Sequence, residues 1–490
     1  MSARSTKGAG ERGSKAIRAA TESGRELLKM AGIHTTTAPL WIMAEDAIMD
    51  RSQVLSSDRL RFVLGHIKEL LWVKPLVLCV LSIGGIFIAR LADDMGLSSV
   101  LPEINLDSVE SLLSIMASSM LVIATFAVGS MVAAYASASA GATPRSLPLV
   151  IADDVTQNAL YAFIGAFIFS IVSLIAIKND LFESAGLFAI FVLTLLVFAI
   201  VVITFVRWVD RIARLGRVVN TIEKAEMAAS DALDRRRRAP TLGAMAVSVH
   251  QARDKGAPVC SSTVGYVQHI DLETLQSRAE ALDCHVMVTA LPGTFVSTRR
   301  PLLRIEGCET FKSDAFSSAF TIGPSRTFED DPRFGLLALS EIADKSLSPG
   351  INDPGTAINV IGVMVRLFTL WQSPLEKDRL LAVTYDRVSV PKLVIDDLFD
   401  DAFTAIARDG AGMVEVSIRL QKAFCALAET DDPAMVAAAK EHSRMALARS
   451  EQAMSLQDDI DAVRRTAAFS MNSGDMARAA LTINGVGKER

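Results

Sequence analysis

The sequence predicts an α-helical membrane domain of four transmembrane helices, followed by a cytoplasmic α+β domain made of a small β-barrel or sandwich and a helical bundle. The first observation behind this fold class is a set of apolar runs between Pro75 and Val206 that have little charge between them. The second is a change of pattern after residue 240, where short alternating stretches are followed by helical ones. The chain of 490 residues is 50% hydrophobic, with a mean hydropathy of +0.34, and is therefore more apolar than a soluble enzyme.

Four apolar runs are each close to the ~20 residues that a helix needs to cross about 30 Å of hydrocarbon. They are Pro75–Ala92, Leu112–Ala138, Ala159–Ile177 and Gly186–Val206. Only helices and closed barrels can span lipid, and these runs do not alternate in the way that strands do. We therefore predict four transmembrane helices with hydrophilic connections.

The distribution of Lys and Arg predicts the orientation of these spans, because positively charged loops stay in the cytoplasm. Basic residues precede the first span at Arg59, Arg61, Lys68 and Lys74, and follow the fourth at Arg207, Arg211, Arg214 and Arg217. The connection 93–110 contains no Lys or Arg. Both termini are therefore predicted to be cytoplasmic, with the bilayer as the first partner of the chain.

Composition divides the chain into five predicted segments. They are a tail with short helices (1–55), a transmembrane domain with a juxtamembrane helix (56–240), a small β-rich cytoplasmic module (241–325), a cytoplasmic helical domain (326–470) and a second tail (471–490).

Charge, cysteine content and motif content narrow the function classes. The net charge of −5 gives no general case for nucleic-acid binding, so no nucleic-acid partner is expected. The five cysteines form no CxxC pair and are predicted to be reduced, structural thiols. The sequence contains no P-loop, GxSxG or HExxH motif, and no cofactor or metal is expected.

The second span differs from the other three because it is rich in hydroxylated and small residues. Ser114, Ser118, Thr125 and Gly129 step by four, seven and four, which places them on one face of a helix. Such a face allows close helix packing, and hydroxyls around a symmetry axis can also line a hydrated pore. Both interpretations stay open. The span contains no Asp, Glu, Lys, Arg or His, so the charged relay of a proton pump is missing.

The region after residue 240 is predicted to begin with short strands and to continue with helices. Pro240–Pro258 is expected to be a linker, Gly265–Ile270 alternates like a strand, and Asp271 is placed to cap a helix. Asp331-Pro332 and Asp353-Pro354 each stand at the head of an apolar helix, with Asp as the N-cap and Pro at the first helical position. We expect these two helices to form a hairpin in a core.

At these motifs the chain resembles the bacterial predicted membrane protein family of unknown function DUF2254. The resemblance extends from about Ser56 to about Phe469 and depends on four pieces taken together. They are Gly265-Tyr266-Val267 with Ile270-Asp271, Pro292-Gly293-Thr294-Phe295-Val296, Asp331-Pro332-Arg333-Phe334-Gly335, and Leu347-Ser348-Pro349-Gly350-Ile351-Asn352-Asp353-Pro354. The resemblance implies a multi-span protein of the bacterial inner membrane with a cytoplasmic domain. It implies no reaction and no catalytic residues.

Polar residues around the hairpin are the other candidate site. Ser348, Gly350, Asn352 and Asp353 form a turn whose backbone N–H groups can make an anion-binding nest, or simply a tight interhelical turn. A wider acidic set can hold Mg²⁺ or Ca²⁺ or serve as acid and base, although helix capping already explains two of its members. This set consists of Glu329, Asp330, Asp331, Glu341, Asp344, Asn352 and Asp353. His269 and His285 lie on nearby strands without a third ligand.

The leading functional hypothesis is a homo-oligomeric inner-membrane channel or pore-type transport protein for ions or small solutes. Four helices per subunit favour a pore that is shared between subunits, with the second span nearest the axis and the cytoplasmic domain assembling or gating it. The alternative is a membrane-anchored signalling or scaffold protein whose cytoplasmic domain binds a ligand or partner. A membrane-bound enzyme that uses the acidic set is a third possibility.

Overall fold

The structure is a computed structural model that describes residues 73–94, 102, 104–141, 143–151, 154–213, 217–248, 252, 255–308, 310–375 and 382–470. The predicted tails, the juxtamembrane helix and the basic residues before the first span lie outside the described residues, except for Lys74.

The first part of the structure is a bundle of apolar helices. It comprises α1 (Val73–Asp94), α2 (Leu106–Gly141), the short α3 (Leu147–Ile151), α4 (Asp154–Lys178) and α5 (Ser184–Ile212). By length and composition α2, α4 and α5 can cross a membrane, and α1 adds a shorter apolar stretch, Val80–Leu91. A fourth helix with this property, Pro354–Gln372, belongs to the region that follows the bundle.

The bundle is centred on α4, which packs against α1, α2 and α5. Its interior contains fully buried side chains, among them Leu113, Phe163, Ile190 and Trp208. The Phe163 and Trp208 rings meet edge to face, with their centroids 6.2 Å apart. Such aromatic contacts fix the relative rotation of α4 and α5 more tightly than aliphatic packing does.

Polar contacts close the bundle at the end where α1 and α4 finish. The Asp93 carboxylate of α1 accepts hydrogen bonds from the backbone N–H groups of Glu183 (3.0 Å) and Gly186 (2.5 Å), so it caps the start of α5. Lys178, at the end of α4, forms an ion pair with Glu110 of α2. The charges that mark the predicted ends of the spans therefore join neighbouring helices.

A mixed helical and sheet region follows the bundle, and α6 (Val218–Arg238) leads into it. Its strands are β1 (Ala244–Val247), β2 (Ala257–Cys260), β3 (Gly265–Ile270), β4 (His285–Val288), β5 (Phe295–Val296), β6 (Pro301–Glu306), β7 (Phe320–Gly323) and β8 (Tyr385–Pro391). Two short helices lie between them, α7 (Leu272–Ala281) and α8 (Ser313–Ser317).

These strands form two open sheets. One has five strands in the order β1-β8-β4-β6-β2, in which β8 runs parallel to both β1 and β4. The other has three antiparallel strands in the order β5-β3-β7. Neither sheet closes on itself, so the structure does not have the barrel that was one of the two predicted forms of this module. The expected linker contains β1 and the beginning of β2, and β8 comes from the predicted helical part.

The helices of this region share one large core. They are α9 (Pro332–Leu347), α10 (Pro354–Gln372), α11 (Ile395–Asp409), α12 (Val414–Ala428) and α13 (Pro433–Ala453). The last helix, α14 (Gln457–Ala467), packs in a smaller cluster with Leu447 and is followed by a 3₁₀ turn at Ala468–Ser470. The predicted hairpin is present, since α9 packs against α10. Phe368 of α10 stacks on Phe403 of α11 at 5.6 Å between ring centroids. Because α10 is packed against α6, α9 and α12, we describe it as a core helix.

Candidate functional site

The four pore-lining candidates lie on the face of α2 that no other helix of the described chain covers. Ser114, Ser118, Thr125 and Gly129 are all exposed, and a methyl group added at Gly129 would meet no atom within 4 Å. The Ser118 hydroxyl donates to the Ser114 carbonyl (3.0 Å), and the Thr125 hydroxyl donates to the Val122 carbonyl (2.8 Å). Hydroxyls bonded in this way have an acceptor whether they face lipid, a neighbouring helix or water. Their pore-lining role stays a prediction.

The turn that contains Ser348, Gly350, Asn352 and Asp353 joins α9 to α10 and is largely exposed. Its backbone N–H groups are directed inward: Asn352 donates to the Ser348 carbonyl (2.9 Å) and Asp353 to the Ser346 carbonyl (2.8 Å). Asn352 has a positive φ of 52°. The role of the turn in ligand binding stays a prediction.

Asp353 caps α10 in the predicted way. Its carboxylate accepts hydrogen bonds from the Thr356 N–H (3.1 Å) and the Thr356 hydroxyl (2.6 Å), and these bonds lower the pKa of Asp353. Asp331 differs, because it heads α9 without capping it through its side chain.

The acidic set does not converge on one point. Asp330 contacts the His269 imidazole, Glu341 forms an ion pair with Arg145 of the α2–α3 connection, and Asp344 is paired with Arg408. Within the described ranges, no group of three or more His, Cys, Asp or Glu side chains is arranged to hold a metal ion. His285 lies on a different sheet from His269 and contacts Ser389 at 2.7 Å.

Two motifs that were predicted as separate pieces of sequence meet at the start of α9. The Asp331 carboxylate is 2% exposed and accepts two hydrogen bonds from Arg326, through Nε at 2.6 Å and Nη2 at 3.0 Å. Gly293 packs directly on this carboxylate in a left-handed conformation (φ +88°), and any side chain at that position would collide with it. Burial raises the pKa of the Asp331 carboxyl, and the hydrogen bonds from Arg326 oppose that rise.

A cavity of about 270 Å³ opens beside this contact, between the β4–β6 connection, the beginning of α9 and the segment after β8. Its charged lining residues are Arg300, Arg326, Arg333, Lys392 and Asp397. We call this cavity the basic pocket, because four of its five charged side chains are cations. Its residues come from four separate stretches of the chain, so no local sequence pattern predicts it.

Carboxylates behind the basic pocket hold its arginines in place. Arg333 donates through Nε to Asp401 (2.6 Å) and through Nη1 to Asp397 (2.7 Å). The Arg326 guanidinium also lies over the Phe334 ring, with its Cζ 5.3 Å from the ring centroid. These arginines are therefore fixed before any ligand arrives.

A buried arginine lies near the same carboxylates. Arg236, close to the end of α6, is 3% exposed and has a weak contact at 3.5 Å from its Nη2 to the Asp330 carbonyl. Burial lowers the pKa of its guanidinium to about 10, against the attraction of Asp330 and Asp331. The end of α6 is thereby tied to the segment that precedes α9.

The membrane bundle has a separate groove of about 540 Å³ between α1, α4 and α5. Its lining is mostly apolar and includes Leu81, Ala166, Phe169 and Val197. The groove has no charged lining residue within the described chain, so it differs chemically from the basic pocket.

Comparison with known proteins agrees with this architecture. Uncharacterized proteins of Mycobacterium bovis and Mycobacterium tuberculosis are 30% identical to this chain over 112 residues, which is 21% of this chain and 21% of each relative. The aligned segment thus spans about a fifth of the length of these relatives. No solved structure matches the chain. The model of the family described as "Predicted membrane protein (DUF2254)" matches residues 68–426, which is more than half of the sequence, and the chain therefore belongs to this family of membrane proteins.

Proposed function

We propose that this protein is a homo-oligomeric channel or pore-type transport protein of the bacterial inner membrane, whose pore is formed where the α2 helices of several subunits meet. The observation that carries the proposal is the uncovered face of α2, with its hydroxyls and small residues. The permeant species in this proposal is an ion or small solute.

The uncovered face of α2 combines hydroxylated and small residues with large apolar side chains such as Val122, and this mixture distinguishes it from the uncovered face of α5. The uncovered face of α5 carries large apolar side chains such as Leu196, Phe198 and Ile203, each at least half exposed. Large apolar side chains suit lipid, whereas small and hydroxylated residues are enriched where membrane helices pack together. The face of α2 centred on Ser118 therefore suits a neighbouring subunit, and α5 suits the bilayer.

The α+β region serves in this proposal as the assembly or gating domain, on the cytoplasmic side. It is joined to the bundle through the chain at α6 and through the ion pair between Arg145 and Glu341. Leu149 of α3 also packs against the core of the α+β region. A change in that region can therefore reach α2 through its C-terminal connection.

Site-directed cross-linking tests whether α2 faces α2. We would place cysteine at Ser118, twelve residues into α2, and in a matched control at Leu196, twelve residues into α5. Both side chains are exposed, and the wild-type protein reports the background from its own five cysteines. We expect oxidation in native membranes to link Ser118→Cys subunits and to leave Leu196→Cys at the wild-type level.

Conduction requires a second measurement, on protein reconstituted into vesicles. We expect flux of small ions or solutes, and a reduced flux for Ser118→Leu, which adds bulk on the proposed pore surface. A monomeric particle in native mass spectrometry, or vesicles without flux under every gradient tested, would show that the proposal is wrong.

A further inference from the structure

We propose that the basic pocket binds a small, soluble organic phosphate. This site lies at the opposite end of α9 from the Ser348–Gly355 turn. The inference depends on the α+β region alone and does not require the protein to be a channel.

The charge balance of the basic pocket favours an anion. Arg300, Arg326, Arg333 and Lys392 line it, against one lining carboxylate, Asp397. Arg333 neutralises Asp397 in part, and Asp331 behind the wall offsets Arg326. Lys392 is exposed and has no ion-pair partner in the part of the chain that the structure describes, and Arg300 donates only to the Phe295 carbonyl, at 3.0 Å. Arg300 and Lys392 therefore have no carboxylate partner among the described residues. Because Arg333 is shared between Asp397 and Asp401, the four cations exceed the three carboxylates they face by one positive charge.

The arginines of the wall are held in place before a ligand binds, and each can give a ligand a single contact. Arg326 uses Nε and Nη2 to bind Asp331, and Arg333 uses Nε and Nη1 to bind two aspartates. Each guanidinium keeps one terminal nitrogen for a ligand oxygen. Because the carboxylates already hold these side chains, a phosphate gains the contacts with little further loss of side-chain freedom.

The rest of the lining suits the organic part of such a ligand. Phe295 is 49% exposed and stands edge to face with Tyr266, with 5.1 Å between the ring centroids. Leu291, Leu393 and Val394 complete an apolar side. The volume of about 270 Å³ is slightly below the ~300 Å³ at which the usual range of ligand pockets begins, so the ligand must be small or partly exposed. A mononucleotide or a sugar phosphate is of suitable size.

A lipid headgroup has the same phosphate chemistry, but the position of the basic pocket favours a soluble source. The pocket adjoins the C-terminal end of α6, through Arg236 and its neighbour Asp331. The 21 residues of α6 extend about 30 Å from the junction with α5. A phosphate at the pocket is therefore remote from the end of the last predicted span.

The test is isothermal titration calorimetry on the full-length protein in detergent, with AMP, inorganic phosphate and adenosine as probes. The variant is Arg300→Gln with Lys392→Gln, because both side chains are exposed and the fold does not depend on them. The matched control is Arg299→Gln with Lys440→Gln, which removes the same charge from exposed positions outside the pocket lining. We expect AMP and phosphate to bind and adenosine to fail.

The pocket variant should weaken AMP binding by about ten- to a hundredfold, since one or two charge-assisted hydrogen bonds are lost. The control pair should stay within about twofold of wild type, a change that charges outside the pocket lining can cause through solvent. Failure of AMP and phosphate to bind at millimolar concentration, or equal weakening in both double variants, overturns the proposal. Binding only to nanodiscs that contain phosphatidylglycerol, with loss in the pocket variant, overturns the soluble source in favour of a headgroup.

Discussion

The close contact between α6 and α9 predicts how a methyl group added at Gly335 changes the stability of the protein. Two effects of that methyl group oppose each other. Gly335 is buried on α9, and a Cβ atom built there would lie 2.7 Å from the Cα atom and 2.5 Å from the Cβ atom of Ala229 on α6. Replacing Gly by Ala inside a helix ordinarily stabilises it by about 1 kcal/mol. Here the added methyl meets backbone, which cannot turn away, and overpacking of this kind costs about 1–3 kcal/mol. We expect Gly335→Ala to destabilise the protein by up to about 2 kcal/mol.

Gly362→Ala is the matched control, because Gly362 is also inside a helix, α10. A Cβ atom there would meet only the Nη2 atom of Arg419, at 3.3 Å, and that long side chain can move aside. The helix effect should therefore dominate, and we expect a gain of up to about 1 kcal/mol. Thermal and urea unfolding of the full-length protein, followed by circular dichroism, measure both variants. If Gly335→Ala is as stable as Gly362→Ala, the close approach of α6 and α9 is refuted.

Two carboxylates of the same region give further predictions. Asp353→Ala removes the cap of α10 and should lower the free energy of unfolding by about 1 kcal/mol at pH 7 without changing the fold. Because the pKa of Asp353 is lowered in the folded state, this loss should become smaller as the pH falls through that pKa. Burial and Asp409 raise the pKa of Asp344 to about 6, so the ionised carboxylate opposes folding. Asp344→Asn should therefore stabilise the protein at pH 8, by about 1 kcal/mol once the screening of this partly exposed group by solvent is taken into account. That gain should be constant above pH 6 and disappear between pH 6 and about 4, the pKa of an unfolded Asp. Unfolding midpoints at several pH values measure both effects, and an Asp344→Asn gain that does not depend on pH would contradict this explanation.

The helices were predicted correctly where a single local feature of the sequence determines them. The apolar runs correspond to α1, α2, α4 and α5, because the length of a membrane-crossing helix is set by the bilayer. The Asp-Pro pairs correspond to the starts of α9 and α10, because an N-cap followed by Pro is a local signal.

The sheet was harder to predict because its pairing is not local. β8 (Tyr385–Pro391) lies between β1 and β4, although more than 90 residues separate it from either strand in sequence. The periodicity of a sequence does not show which distant strands pair with each other. In addition, β8 has only seven residues and lies in a region that was predicted to be helical. The barrel was expected because only the strands between Gly265 and Ile322 were recognised.

The basic pocket was missed for a related reason. Asp331 was interpreted as a helix cap from its position before Pro332, but its carboxylate is turned to Arg326 and lies against Gly293. A cap and an ion pair have the same sequence signature, since both need only an Asp at that position. The two motifs that form part of the pocket, 292–296 and 331–335, were both recognised in the sequence. Local sequence patterns do not show that these two motifs lie together in the fold.

The length of α2 connects the proposed pore surface to the proposed ligand site. Its 36 residues extend about 54 Å, which exceeds the ~30 Å of hydrocarbon, so a helix of this length extends beyond the hydrocarbon of a bilayer that it crosses. Four residues after its end, Arg145 forms an ion pair with Glu341 on α9, and the same helix carries Arg333 of the basic pocket. A ligand that draws Arg333 toward itself acts on a rigid helix that the end of α2 already contacts. If both proposals hold and this contact links the two sites, phosphate binding should change the flux, and Arg145→Gln should remove that change while leaving binding and flux each measurable.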